Sequence, residues 1–258
     1  MLLGFALGLN AEERPGRITI LAGGFDRRDS VVCFTLPAGA RDFQQLADEQ
    51  GNMSALQTDL EGHACFIEKE LKHGSSRTYR LVAAKSKASL RDGVQVAREG
   101  SQLKCSVASQ PVFNYQAQMS ELPRPDIKPI FQRGGYLHPI LTPGGKLITD
   151  DYPTNHLHHH GIWFPWTKTE FEGRQPDFWN MGEGKGTVEF VAVGETWNGL
   201  VHGGFNSRHR FVDLTAAEPK IALNETWRVT LYNVGRGASR YWMVDLVSTQ
   251  FCATTSPL

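Results

Sequence analysis

The residues able to do chemistry crowd into one segment of this 258-residue chain, Asn155–Trp166. It reads Asn155-His156-Leu157-His158-His159-His160-Gly161 and continues as Ile162-Trp163-Phe164-Pro165-Trp166. If Asn155–Gly161 is extended, His156, His158 and His160 share a face, because strand side chains alternate with a period of two. Leu157 and His159 then point to the other face. Such a row has three readings. Neutral imidazole ligates zinc, iron and copper, and histidines at i and i+2 can chelate. Imidazole also makes directional hydrogen bonds and moves protons near neutral pH, which suits a pocket for a sugar or a carboxylate. The third reading is an exposed turn without a role. Known metal signatures fail. The glutamate expected after an H-x-H is replaced by Ile162 or Trp163 in one register and by Phe164 or Pro165 in the other. His160 stands where the H-x-H-x-D-H pattern needs aspartate, and no H-E-x-x-H occurs. No metal and no organic cofactor is therefore expected.

Acid–base chemistry also needs a carboxylate. In Leu223–Asn233 the alternation groups Glu225 with Leu223, Trp227, Val229 and Leu231. An inward carboxylate is costly unless it is paired or lines a pocket, and in a pocket its pKa rises. Glu225 is thus the expected partner of the imidazoles, with an internal salt bridge as the alternative. Asp245 carries the same argument more weakly. The aromatics have two readings: indole faces stack sugar rings, yet tryptophan is ordinary core in a sheet protein. Trp163, two residues after Gly161, is expected as a cleft wall with Trp179, and Trp227 as core. His138, held before Pro139, is expected as a further pocket histidine, whereas His202-Gly203-Gly204 reads as a bare turn.

These groups need a scaffold, and the sequence calls for sheets. Short β-branched or aromatic runs separated by Gly, Pro, Asn or Asp recur throughout. They include Arg17–Ala22, Asp29–Leu36, His63–Glu70, Thr78–Ala84, Gly93–Arg98, Gln102–Val107, Gln110–Gln118 and Lys128–Gln132. Gly186–Val193, Ser207–Leu214, Ile221–Asn233 and Arg240–Phe251 follow. Only Ala40–Gln50 reads as a helix, with Phe43, Leu46 and Ala47 on one face and Gly51 as a stop. Three prolines within Glu121–Pro129 mark a soft boundary, since proline offers no N–H to a ladder. All six tryptophans and seven of the nine histidines lie beyond it. The expected organisation is residues 1–11 as a signal-peptide remnant, 12–120 as an N-terminal meander, and 129–258 as the histidine- and tryptophan-rich part of the same sandwich. A net charge of zero gives no electrostatic case for nucleic acid. No apolar run approaches a membrane span. The four cysteines are scattered, without a C-x-x-C pair, and read as small buried apolar residues.

From Tyr136-Leu137-His138-Pro139, through Thr142-Pro143-Gly144, to Asn155-His156-x-His158-His159-x-Gly161-Ile162-Trp163-Phe164, the chain resembles a bacterial family. That family, a domain of unknown function, is labelled "methane oxygenase PmoA-like". Its pattern is roughly Y-L-H-P, T-P-x-G and D-H-P-H-H-R-G-x-W-x-A. The resemblance continues through Asp177-Phe178-Trp179 and Gly186-Thr187-Val188, and weakly into the N-terminal meander. The methane label does not suit a chain without a membrane span. The resemblance implies instead an all-β supersandwich of mainly antiparallel strands, galactose mutarotase-like, in an exported carbohydrate-active protein. Asn155, Leu157 and His160 depart from the pattern, and His160 removes the donor fork of an arginine. The resemblance further implies strands beyond Leu258, so the C-terminus reads as truncated.

The expectation is a protein that binds a sugar or sugar derivative in a cleft. His156, His158, His159 and Glu225 would carry any acid–base chemistry. His138, Asn155, His160, Trp163 and Trp179 would bind the ligand. The alternatives are a non-catalytic carbohydrate-binding module and a histidine-ligated metalloenzyme.

Overall fold

A computed structural model describes residues 16–36, 40, 43–59, 61–83, 89–235, 237 and 240–258. The expected signal remnant, 1–11, lies outside the described residues. Among them the protein is all-β: fifteen strands, three short 3-10 turns and no α-helix. Among the described residues no helix is long and apolar enough to cross a membrane. The chain divides into two compact units, Met1–Ala88 and Ser89–Leu258.

The first unit holds β1 (Arg17–Leu21), β2 (Arg27–Thr35), β3 (Phe43–Ala47), β4 (Met53–Ala55), β5 (Gln57–Thr58), β6 (His63–Leu71) and β7 (Ser76–Ala83). One antiparallel sheet runs β1-β7-β3-β4 and the other β2-β6-β5. Alternating residues such as Ile18 and Ile20 of β1 meet Leu46, Phe66 and Tyr79 in a shared core. The helix expected over Ala40–Gln50 is replaced by β3. Its residues pair with β7 on one side and β4 on the other, and ladder bonds on both edges override a weak helical pattern. Asp48 ends the strand: its carboxylate accepts from the Gln50 and Asn52 amides, and Gly51 takes the left-handed φ of +82° that the turn needs. Cys33 and Cys65, directly opposite on β2 and β6, form a disulfide and are not two independent apolar residues.

The second unit holds β8 (Val94–Glu99), β9 (Gln102–Val107), β10 (Gln110–Gln116), β11 (Leu137–Ile140), β12 (Gly186–Trp197), β13 (His202–Asp213), β14 (Lys220–Tyr232) and β15 (Met243–Cys252). Two antiparallel sheets, β11-β10-β9-β8 and β12-β13-β14-β15, share one core. Val96, Leu103 and Tyr115 come from the first sheet, and Phe205, Trp227 and Leu231 from the second. This is sandwich packing, each strand turning alternate residues inward. The boundary expected at the prolines lies inside this unit, because β10 pairs with β11 across them. Lys128–Gln132, expected as a strand, is a 3-10 turn over Pro129–Phe131, where proline's missing N–H is tolerated. Between β11 and β12 the chain runs 45 residues without a long strand, and most of the candidate site is there.

Candidate functional site

The histidine string is not a strand. Residues 150–161 form a loop that closes on itself: the Tyr152 amide donates to the His159 carbonyl and the Gly161 amide to the Asp150 carbonyl. Its tip is two consecutive turns, in which the His156 amide donates to the Pro153 carbonyl and the His159 amide to the His156 carbonyl. The expected row of His156, His158 and His160 is therefore corrected. Turn geometry breaks the alternation, and His160 parts from the others.

At the tip, His156 and His159 stack with ring centroids 4.8 Å apart, and His158 meets His159 edge-on at 4.5 Å. His156 and Asn155 are exposed, and His158 and His159 half-buried. Burial, then the neighbouring imidazoles, lower the pKa of His158; burial and His156 lower that of His159. Both are neutral at pH 7, each with one donor and one acceptor nitrogen. Among the described residues one group of three gathers its ligating atoms within 4.8 Å, Asp59, Glu61 and His63, and the string is not part of it. The Asp59 carboxylate there holds a turn by accepting from the Glu61 and His63 amides.

Beside the imidazoles lies indole. Trp179 meets His159 edge-on at 5.5 Å and lies tilted against Trp163 at 5.6 Å. Both indoles are half-buried. Trp179 is placed by Asp177, whose carboxylate accepts from the Trp179 and Asn180 amides, while Phe178 is fully buried. Trp163 is placed by Ile162, which exchanges backbone hydrogen bonds with Leu137 at the head of β11. Gly161 makes this crossing possible: at φ +41°, a Cβ would stand 2.0 Å from the Leu137 carbonyl oxygen.

His160 is buried against Tyr136 and Tyr152, its Nδ1 2.8 Å from Asp151. Tyr136 donates to the other oxygen of that carboxylate. Burial first, and the Arg133 charge as well, hold the His160 pKa below its ordinary value. His138 lies on β11 with its ring bonded to Thr149.

Glu225 sits elsewhere in the core. It lies opposite His209 in the β13–β14 register, and its carboxylate binds His209 Nδ1 at 3.0 Å, the Ser248 hydroxyl and the Gln250 amide. Tyr115 closes the chain on His209 Nε2 at 2.8 Å. Burial raises the Glu225 pKa, but the bonds from His209, Ser248 and Gln250 outweigh it, so the carboxyl is held below its ordinary value. The upward shift expected of a pocket acid is thus reversed. Its bonds go to His209, Ser248 and Gln250, with none to the loop imidazoles among the described residues. His202 is buried at the head of β13, where its Nδ1 accepts from the Trp197 indole, and is not in a bare turn.

Two groups escaped the sequence reading. His209 alternates inward with Ser207 and Phe211, a pattern that could have disclosed it. Arg133 precedes Gly134-Gly135 and gives no periodic signal. Its guanidinium carbon lies 4.2 Å from the Trp163 ring. Gly135 admits the neighbouring His209, since a Cβ there would meet the imidazole at 2.8 Å.

A family model described as "Family of unknown function (DUF6807)" matches residues 102–258, more than half of the chain. No curated protein and no solved structure matches it significantly.

Proposed function

Since the chain belongs to the family of unknown function DUF6807, whose membership brings no activity with it, we propose its function from the site itself: the protein binds a carbohydrate on the surface formed by His158, His159, Trp163 and Trp179. The observation that carries this reading is the contact of the half-buried Trp179 indole with the neutral His159 ring at the loop tip, and of a second half-buried indole, Trp163, with Trp179. Indole offers an apolar face to the C–H side of a sugar ring, and each imidazole can donate to one hydroxyl and accept from another. The likeness of the string to the PmoA-like pattern, with the galactose mutarotase-like sandwich it implies, agrees with the reading. The Cys33–Cys65 disulfide supports export to an oxidising compartment. Binding is favoured over catalysis, because the carboxylate expected to complete an acid–base pair, Glu225, is saturated by core partners.

Calorimetric titration of mono- and disaccharides tests this. One net hydrogen bond is worth about 1 kcal/mol, so His158→Ala should weaken binding roughly fivefold while leaving the melting temperature nearly unchanged. No binding at millimolar sugar, or a His158→Ala variant that unfolds, would overturn the reading.

A further inference from the structure

Arg133 is buried to 3 % exposure and His160 completely. Each ends in an orphan: Arg133 Nη1 and His160 Nε2 are buried side-chain atoms without a hydrogen-bond partner among the described residues. Such atoms are uncommon, and each calls for an explanation. Arg133 is the more costly. Its Nε donates to the Gly134 carbonyl at 3.3 Å, and no carboxylate pairs with the guanidinium among the described residues. The nearby carboxylates are engaged, Asp151 by Tyr136 and His160 and Glu225 by His209, Ser248 and Gln250. Burial without a partner pushes the arginine's pKa down to about 10. Folds seldom retain an unpaired buried cation unless something pairs with it.

Both orphans belong to residues that touch Trp163, which lies 4.2 Å from the guanidinium carbon and 5.9 Å, edge-on, from the His160 ring. Trp163 is part-exposed, and Arg133 lines a groove of about 460 Å³ with Gln118, Gln132, Phe190 and Glu189, whose carboxylate accepts from Arg210.

We propose that Arg133 and His160 receive the carboxylate of a sugar acid whose ring lies against Trp163. This rests on the sugar-binding reading for the body of the ligand and adds its class. Arg133 Nη1 supplies donors to one or both carboxylate oxygens. The His160 Nδ1–H donates to the Asp151 carboxylate, so Nε2 of the neutral ring is a bare acceptor and must take a proton from solvent before it can donate to the anion. The groups facing His160 are Asp151, Tyr136, Tyr152, Arg133 and His158. An entering carboxylate offsets the Arg133 charge that opposes protonation. Binding is therefore coupled to uptake of one proton, and it weakens as the pH rises, up to tenfold per unit.

The test is calorimetry on the full chain at pH 6 and 7 with glucuronate, glucose and acetate, in buffers of different ionisation enthalpy. Glucuronate should bind at least tenfold more tightly than glucose, with about one proton taken up at pH 7. Arg133→Met should abolish that preference without lowering the melting temperature, since it removes an unpaired buried charge. Should Arg133→Met fail to fold, His160→Gln must abolish the proton uptake. Equal affinity for glucuronate and glucose overturns the carboxylate site and leaves the sugar surface standing. Arg133-dependent binding of glucuronate and acetate without any glucose binding supports the anion site and overturns the neutral-sugar surface. If none of the three binds, both fall.

Discussion

Acid should unfold the second unit through two buried imidazoles, His160 and His209. Both have their pKa lowered chiefly by burial, against an unfolded value of about 6.5. A depressed folded pKa means the unfolded chain binds the proton more readily. The stability tied to these groups is therefore complete above pH 6.5 and is lost as the pH falls from there through the folded values. Each proton contributes at most about 1.4 kcal/mol per pH unit, so the pair gives a limiting slope of about 2.7 kcal/mol per unit. Between pH 6.5 and 5 the loss reaches at most about 3 kcal/mol, a large share of a typical domain's 5–15 kcal/mol. His158 and His159 are shifted the same way but are more exposed, and solvent screening makes their share small. The assay is urea unfolding followed by tryptophan fluorescence, which reports the second unit because all six tryptophans lie there. His160→Gln and His209→Gln should each remove about half of the slope, whatever they do to absolute stability. A wild-type slope under about 0.5 kcal/mol per unit, or one unchanged in the double variant, would refute the assignment.

Two structural predictions follow from the same contacts. Gly161→Ala places a Cβ against the Leu137 carbonyl at positive φ, and strain plus overpacking should cost roughly 2–5 kcal/mol in urea unfolding; a loss below about 0.5 kcal/mol would contradict the close crossing. Dithionitrobenzoate should label Cys252 in the native protein and Cys105 only on unfolding, with Cys33 and Cys65 reacting only after reduction. Four reactive thiols in unfolded, unreduced protein would contradict the disulfide.

The strands were largely legible because alternation is local. The alternating run Gln102–Val107 coincides with β9 at both ends, and Trp227 lies in the core as its alternation predicts. The failures occur where pairing partners decide. Phe43–Ala47 is held as a strand by ladders on both sides, and no window of its own sequence contains them. The histidine string fails for a related reason: whether it extends or turns depends on Asp150–Tyr152 folding back on His159–Gly161. That fold-back keeps His156, His158 and His159 at the surface and buries His160. Glu225 points inward as its alternation predicts, but its partner His209 stands on another strand, so its pairing depends on register. Arg133 had no local signature. Its importance lies in the partners it lacks, which only packing reveals.

The most direct measurement of the central claim is the histidine-ring and indole NMR spectrum of the protein during titration with a sugar. Signals are assigned with His158→Ala, His159→Ala and Trp179→Phe variants. The account predicts that the His158 and His159 ring signals and the Trp179 indole N–H move together, at one midpoint, while the His209 ring stays still in the core. A sugar that binds while these three signals remain unmoved would contradict it, as would the absence of any shift at millimolar sugar.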